Sequence, residues 1–169
     1  MIDYLDQTFI NFRSFAFDES DAHGFRWVDV KRFRLCAAPP ADEFVLRLLI
    51  RAEQFADDYA GGGMEPVGEI HGPYRLDRIT PDSYEHLDAT AAVGVLDGWA
   101  RQYGSLPAPL AKALEKQLYA PIRTATSLYR LKELGEDERH DFVVHGEFYE
   151  LVVIDRTRCT LSLLVAADD

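Results

Sequence analysis

"FYELVVIDRTRCTLSLLVAADD", Phe148 to Asp169, holds two apolar runs separated by a short polar break, residues 156–159. Runs of aromatic and β-branched residues on either side of such a break predict a β-hairpin. Side chains alternate across a strand, so Leu161, Leu163 and Val165 share one face, and Ser162, Leu164 and Ala166 the other. The first strand is apolar on both faces as well, with Tyr149, Leu151 and Val153 against Phe148, Val152 and Ile154. Strands of this kind need cover on both sides. The expected fold is therefore α+β: a mostly antiparallel sheet that includes this C-terminal hairpin, packed with three to four helices.

Working outward, two segments have the spacing of covering helices. In 42–60, Asp42 and Glu43 suit a helix N-terminus, and Phe44, Leu48, Ala52, Phe55 and Tyr59 follow at helical spacing before "AGGGMEP" ends the run. Thr80 and Pro81 start a second helix, 82–103, with Tyr84, Leu87, Ala91, Val95 and Trp99 on one face. Ile2, Leu5, Phe9 and Phe12 predict a helix over 2–14, and Leu110, Leu114 and Leu118 one over 108–119 that Pro121 ends. Strands are expected at 25–37 and 124–135, with a strand pair around 67–79 turning at "HGP". No linker or low-complexity tract divides the chain, so 1–169 reads as a single domain.

The hairpin carries the pattern F-x-E-x-V-x-I-D-R, here Phe148, Glu150, Val152, Ile154, Asp155 and Arg156. It is followed by L-x-L-x-V-A-x-D-D, here Leu161, Leu163, Val165, Ala166, Asp168 and Asp169. This resembles the end of small uncharacterised bacterial proteins, and the resemblance implies no activity.

With 29 acidic against 18 basic residues the net charge is −11. That opposes a nucleic-acid face and an anionic membrane, and it suits a basic protein partner. Arg26, Lys31, Arg32 and Arg34, interleaved with Phe25, Trp27 and Phe33, have the composition of a single-strand nucleic-acid site. Their alternation instead predicts one basic strand face neutralised by the chain's own carboxylates. "MIDYLDQTF" has no signal-peptide character, and "TLSLLVAA" is too short to span a bilayer. Cys36 and Cys159 lie far apart without metal spacing and read as buried thiols of a reduced cytoplasm; no cofactor is expected.

Candidate chemistry concentrates in "HDFVVHGEFYELVVID", 140–155. Asp141, His145 and Glu147 share one face of an extended strand, where carboxylates can orient an imidazole or join it around a divalent metal. Asp141 and His145 are four residues apart, however, and Gly146 invites a bulge that resets the faces. Glu150 is a lone carboxylate in an apolar run and needs a partner, with Arg75 or Arg130 as candidates. "GGGM" lacks the GK[ST] of a phosphate loop, and no serine has G-x-S-x-G context. Two function classes follow. One is a non-enzymatic acidic protein-binding domain, such as an immunity protein neutralising a basic bacterial toxin. Its contacts would be Glu53, Asp57 and Asp58 on the outer face of helix 42–60, with Glu136, Asp137 and Glu138. The other is a small enzyme, or a metal- or ligand-binding domain, with a His–carboxylate site near 141–147.

Overall fold

A computed structural model describes every residue except 37, 39, 61–67, 142 and 144. Its strands are β1 (Ile2–Asn11), β2 (Arg26–Leu35), β3 (Ile70–His71), β4 (Tyr74–Arg75), β5 (Tyr84–His86), β6 (Ser127–Leu131), β7 (Phe148–Asp155) and β8 (Thr160–Asp168). Its helices are α1 (Asp42–Ile50), α2 (Ala89–Ala100), α3 (Ala108–Leu114) and α4 (Ala120–Thr124), the last two joined by a π-helical stretch, Glu115–Tyr119. Six strands form one antiparallel sheet in the order β1-β2-β8-β7-β6-β5, and β3 and β4 pair separately. The fold is α+β, as the alternation of the C-terminal strands requires.

The hairpin β7–β8 lies in the middle of the sheet, flanked by β2 and β6. Leu151, Val153, Leu163 and Val165 are each at most 4% exposed. Val28, Val30, Leu151, Val153, Leu164 and Ala166 pack against Leu96, Trp99, Leu110, Leu114 and Ile122 of the α2–α4 layer. Phe33, Leu35, Val152, Ile154, Leu161 and Leu163 pack against Val45, Leu46 and Leu49 of α1 and against Phe55. Fully burying each such side chain stabilises the fold by about 1.5–3 kcal/mol.

Four sequence expectations change. Residues 2–11 are an edge strand, not a helix: Tyr4, Leu5 and Phe9 are exposed, and of the expected stripe only Phe12 is buried. Pairing with β2 along the whole strand outweighs the helical spacing, and the register shifts between Tyr4 and Asp6, which leaves Leu5 as a bulge. Helix 42–60 stops at Ile50, and the Gln54, Phe55 and Asp58 carbonyls beyond it accept from side chains beneath. Helix 82–103 begins only at Ala89, capped by the Asp88 carboxylate on Ala91 N at 2.9 Å. Thr80 and Pro81 start a 3₁₀ turn, Pro81–Ser83, after which Tyr84–His86 pairs with β6. Pro121 does not end its helix; it sits in the first turn of α4, where a missing N–H is tolerated. The turn of the β3–β4 pair is where "HGP" puts it. Gly72 adopts φ +50°, and a Cβ there would collide with the Phe148 ring. The glycine cap at 61–63 and the strand start at 67 lie outside the described residues.

Candidate functional site

Alternation along β2 places Trp27, Asp29 and Lys31 on the α1 side of the sheet, in line with Phe33 and Leu35. Asp29 on β2 and Glu150 on β7 both stand opposite Val165 of β8, so two carboxylates flank one valine inside the sheet. Among the described residues no α-helix covers this part of the face. It is covered by the strap Ala52–Ala60, which contains one 3₁₀ turn, Glu53–Phe55.

A strap over a sheet has buried carbonyls without ladder partners, and these must find donors. Three side chains beneath supply them. Lys31 Nζ donates to the Gln54 carbonyl (3.0 Å), to Asp57 Oδ2 (2.5 Å) and to the Tyr59 hydroxyl (3.3 Å). His71 Nδ1 donates to the Phe55 carbonyl (2.5 Å), and His145 Nε2 to the Asp58 carbonyl (3.1 Å). Tyr59 adopts φ +56°, an uncommon backbone for an aromatic residue, and its ring stacks on Trp27 at 5.7 Å. Burial holds the Tyr59 hydroxyl well above the usual phenol range, reinforced by Glu150, Asp57 and Asp29. Burial likewise raises the Asp29 carboxyl, although the Gln7 amide and Lys31 oppose it. Asp29 Oδ2 has no hydrogen-bond partner and lies 3.8 Å from Lys31 Nζ.

Glu150 finds neither Arg75, which pairs with Asp77, nor Arg130, which pairs with Glu85. Its partners are His71 Nε2 and the Tyr84 hydroxyl, the latter donating at 2.5 Å. The Phe55 carbonyl can only accept, so His71 Nδ1 carries a proton. One further proton then lies between Nε2 and the carboxylate, and on either side of that bond the pair is neutral overall. Both imidazole nitrogens are committed and both side chains are fully buried. The unit resembles a catalytic carboxylate–imidazole pair in composition, but it presents no nitrogen to a substrate.

Beside this network, a cavity of about 380 Å³ opens where β6 leaves β7. Pairing between these strands runs from Ser127↔Ile154 to Arg130↔Leu151, whereas β7 continues to Phe148. Glu133, Arg139, Glu147 and Tyr149 line the gap, and Leu87 and Val95 line its α2 side.

The structure brings His145 and Glu147 to the wall of this cavity; Asp141, exposed, does not line it. His145 is 1% exposed in its side chain and packs between Trp27 and Phe148, with Nδ1 3.5 Å from Asp169 Oδ1. Glu147 accepts from the Tyr149 hydroxyl at 3.2 Å. Among the described residues no three His, Cys, Asp or Glu side chains are grouped so as to hold a metal. Of the acidic residues expected at a partner surface, Glu53, Glu136 and Asp137 are exposed and Glu138 half-buried. Asp57 does not sit on an outer helix face: it is turned inward onto Lys31. Asp58, on the strap, accepts from Ala60 N at 2.9 Å. Cys36 and Cys159 are half-buried free thiols.

No family model, curated protein or solved structure matches this chain. The chemistry of the site therefore rests on its own geometry. The sequence reading gave Asp29 no role, placed Lys31 on a basic strand face and Tyr84 on a helix face, and did not connect His71 with Glu150. For Asp29 and Lys31 a signal was present, since both occupy the same strand face as Trp27, Phe33 and Leu35. For His71 and Tyr84 there was none, because their shared partner is 79 and 66 residues away.

Among the described residues no helix is long and apolar enough to cross a membrane. Arg26 is buried on main-chain carbonyls, Lys31 is paired with Asp57 and Arg32 with Asp6. Lys31 and Arg32 lie on opposite faces of β2, so the cations of this strand do not form one basic surface.

Proposed function

We propose that this chain is a non-enzymatic protein-binding domain whose partner is a basic protein, in the manner of an immunity protein neutralising a basic bacterial toxin. One observation carries the reading: the ionisable groups beneath the strap face one another, whereas surplus carboxylates lie outside. Asp29, Asp57 and Glu150 face Lys31 and His71 within the network. Asp18, Glu19, Asp21, Glu53 and Asp137 make no ion pair among the described residues and are exposed. An acidic exterior attracts a cationic surface and speeds encounter with it.

The test is titration of the purified chain with the products of the genes adjacent to its own, at low and at high salt. Binding that weakens by about tenfold or more with added salt is expected, since screening over about 10 Å removes the long-range attraction. Absence of binding at low salt would overturn the reading.

The cavity favours a second reading, a small-ligand-binding domain with His145 and Glu147 in its wall. Its volume lies at the lower end of the range of small-molecule sites, about 300–1,000 Å³. Native mass spectrometry of the purified chain would show a co-purifying small molecule under this reading and the bare chain mass under the first.

A further inference from the structure

We propose, on the ligand-binding reading above, that the cavity between β6 and β7 takes a short zwitterion with an apolar body. The class is a dipeptide with free ends, its carboxylate on Lys132 and its ammonium on Glu147.

The cavity wall carries charges of both signs, and most of them already have a partner. Arg130 holds Glu85 at 2.5 Å, and Glu133 lies 3.9 Å from Arg139. Glu150 is held by His71 and Tyr84. His145 donates to the Asp58 carbonyl and faces Asp169. Two lining groups are left. Lys132 and Glu147 make no ion pair among the described residues, and the Glu147 carboxylate accepts there from the Tyr149 hydroxyl alone. The balance of the wall is thus one unmatched cation and one unmatched anion.

These two stand on opposite sides of the gap. Pairing of β6 with β7 ends at Arg130↔Leu151. Beyond that point Lys132 continues the β6 side, its N–H donating to the Ser83 carbonyl at 2.9 Å. Glu147 directly precedes β7 on the other side. Extended residues two apart share a face, so Lys132 shares that of Arg130, and Glu147 that of Tyr149 and Leu151. Arg130 and Leu151 are paired, and Leu151 belongs to the α2-side core, so both unmatched charges lie on the α2 side of the sheet.

The α2 side of the cavity is hydrocarbon. Ala92 and Leu96 are buried, Leu87 is half-buried, and Val95 is 42% exposed. The complementary ligand has an anion for one wall, a cation for the other and an apolar side chain for the third. A singly charged ligand leaves one wall unmet. Paired strands stand about 4.8 Å apart, and these two have parted. An amino acid carries both charges on one carbon, whereas the ends of a dipeptide lie about 7 Å apart. A volume of about 380 Å³ suits so short a peptide.

The experiment is calorimetric titration of the intact chain with leucyl-leucine and with its N-acetylated, C-amidated and doubly blocked forms. The free peptide should bind, and each single block should weaken it by about tenfold, the loss of one charge-assisted hydrogen bond. Glu147→Gln should weaken the free peptide by a similar factor and make binding indifferent to acetylation. Lys132→Met should do the same for amidation. Both variants should keep the far-ultraviolet spectrum of the parent chain. Equal affinity for the free and doubly blocked peptides, or sensitivity to the blocks that survives both substitutions, would overturn the zwitterion while leaving a ligand-binding cavity intact. No binding of the free peptide, with another small molecule co-purifying in native mass spectrometry, would likewise remove the dipeptide alone. No binding together with the bare chain mass would remove the ligand-binding reading too.

Discussion

On the α2 side of the sheet, Leu151, Val153, Leu164 and Ala166 are covered by helices whose backbones satisfy themselves. The buried charge on that side, Arg26, is held by carbonyls: Nε donates to His23 at 2.7 Å, Nη1 to Trp99 at 2.8 Å and to Ala100, and Nη2 to Ala22 at 2.6 Å. Two of these are the last carbonyls of α2, where a cation is favoured. On the α1 side the same two central strands lie partly under a strap. There the strands must carry donors, and the donors in turn require carboxylates. Lys31, His71 and His145 serve the strap; Asp57 and Glu150 neutralise the first two. Cover by a helix permits an oily face beneath it, and cover by irregular chain imposes a polar one.

The contrast breaks most sharply at Glu150. Glu150→Ala strands His71 and Tyr84 in the interior, and a loss of about 3–5 kcal/mol is expected from urea unfolding. A double replacement of Glu150 and His71 by leucine should cost less than the single change, because no buried charge is orphaned. If the double variant is the weaker of the two, the network contributes more than mutual neutralisation. On the other face, Leu164→Ala should cost about 2–5 kcal/mol through the cavity it leaves. That loss should be the same at pH 5 and pH 8; a pH-dependent loss would mean the two faces are coupled through β8.

Arg26→Lys sharpens the comparison further. An ammonium cannot reach four carbonyls fanned around a planar guanidinium, so a loss of about 1–3 kcal/mol is expected, with α2 fraying first by amide exchange. An unchanged midpoint would show that the carbonyls find other donors.

The smallest effects are in pH dependence, and they have opposite signs. Burial pushes the Asp42 carboxyl up, but hydrogen bonds from Ser127, Arg156 and Tyr129 outweigh it and hold the carboxyl below its ordinary range. Its contribution is therefore present above the unfolded value, about 3.9, and is lost as pH falls through the lower folded value. Asp42→Asn should flatten the acid limb of a urea-midpoint profile. Asp29 is raised by burial, so its contribution is complete below about 3.9 and is lost as pH rises through the folded value. Asp29→Asn should match the parent chain at pH 3 and gain on it toward neutrality. A gain that is absent at neutral pH would mean Lys31 compensates the charge fully.

The alternation of Leu161, Leu163 and Val165 with Leu164 and Ala166 was enough to place the hairpin inside a doubly covered sheet, because period-two burial is a local property of the chain. The same reasoning marked Glu150 as a carboxylate in need of a partner. It failed at residues 2–11, where three- and four-residue spacing imitates a helix and only the pairing partner, β2, reveals an edge strand. It failed again past Ile50, where the donors to the following carbonyls come from positions 31, 71 and 145. Sequence by itself determined the class of fold and the demand for a counter-group. Only tertiary structure decided that an imidazole and a phenol would meet that demand, and that β6 would part from β7, because hydrogen-bond partners and strand neighbours are chosen across distances that no local pattern records.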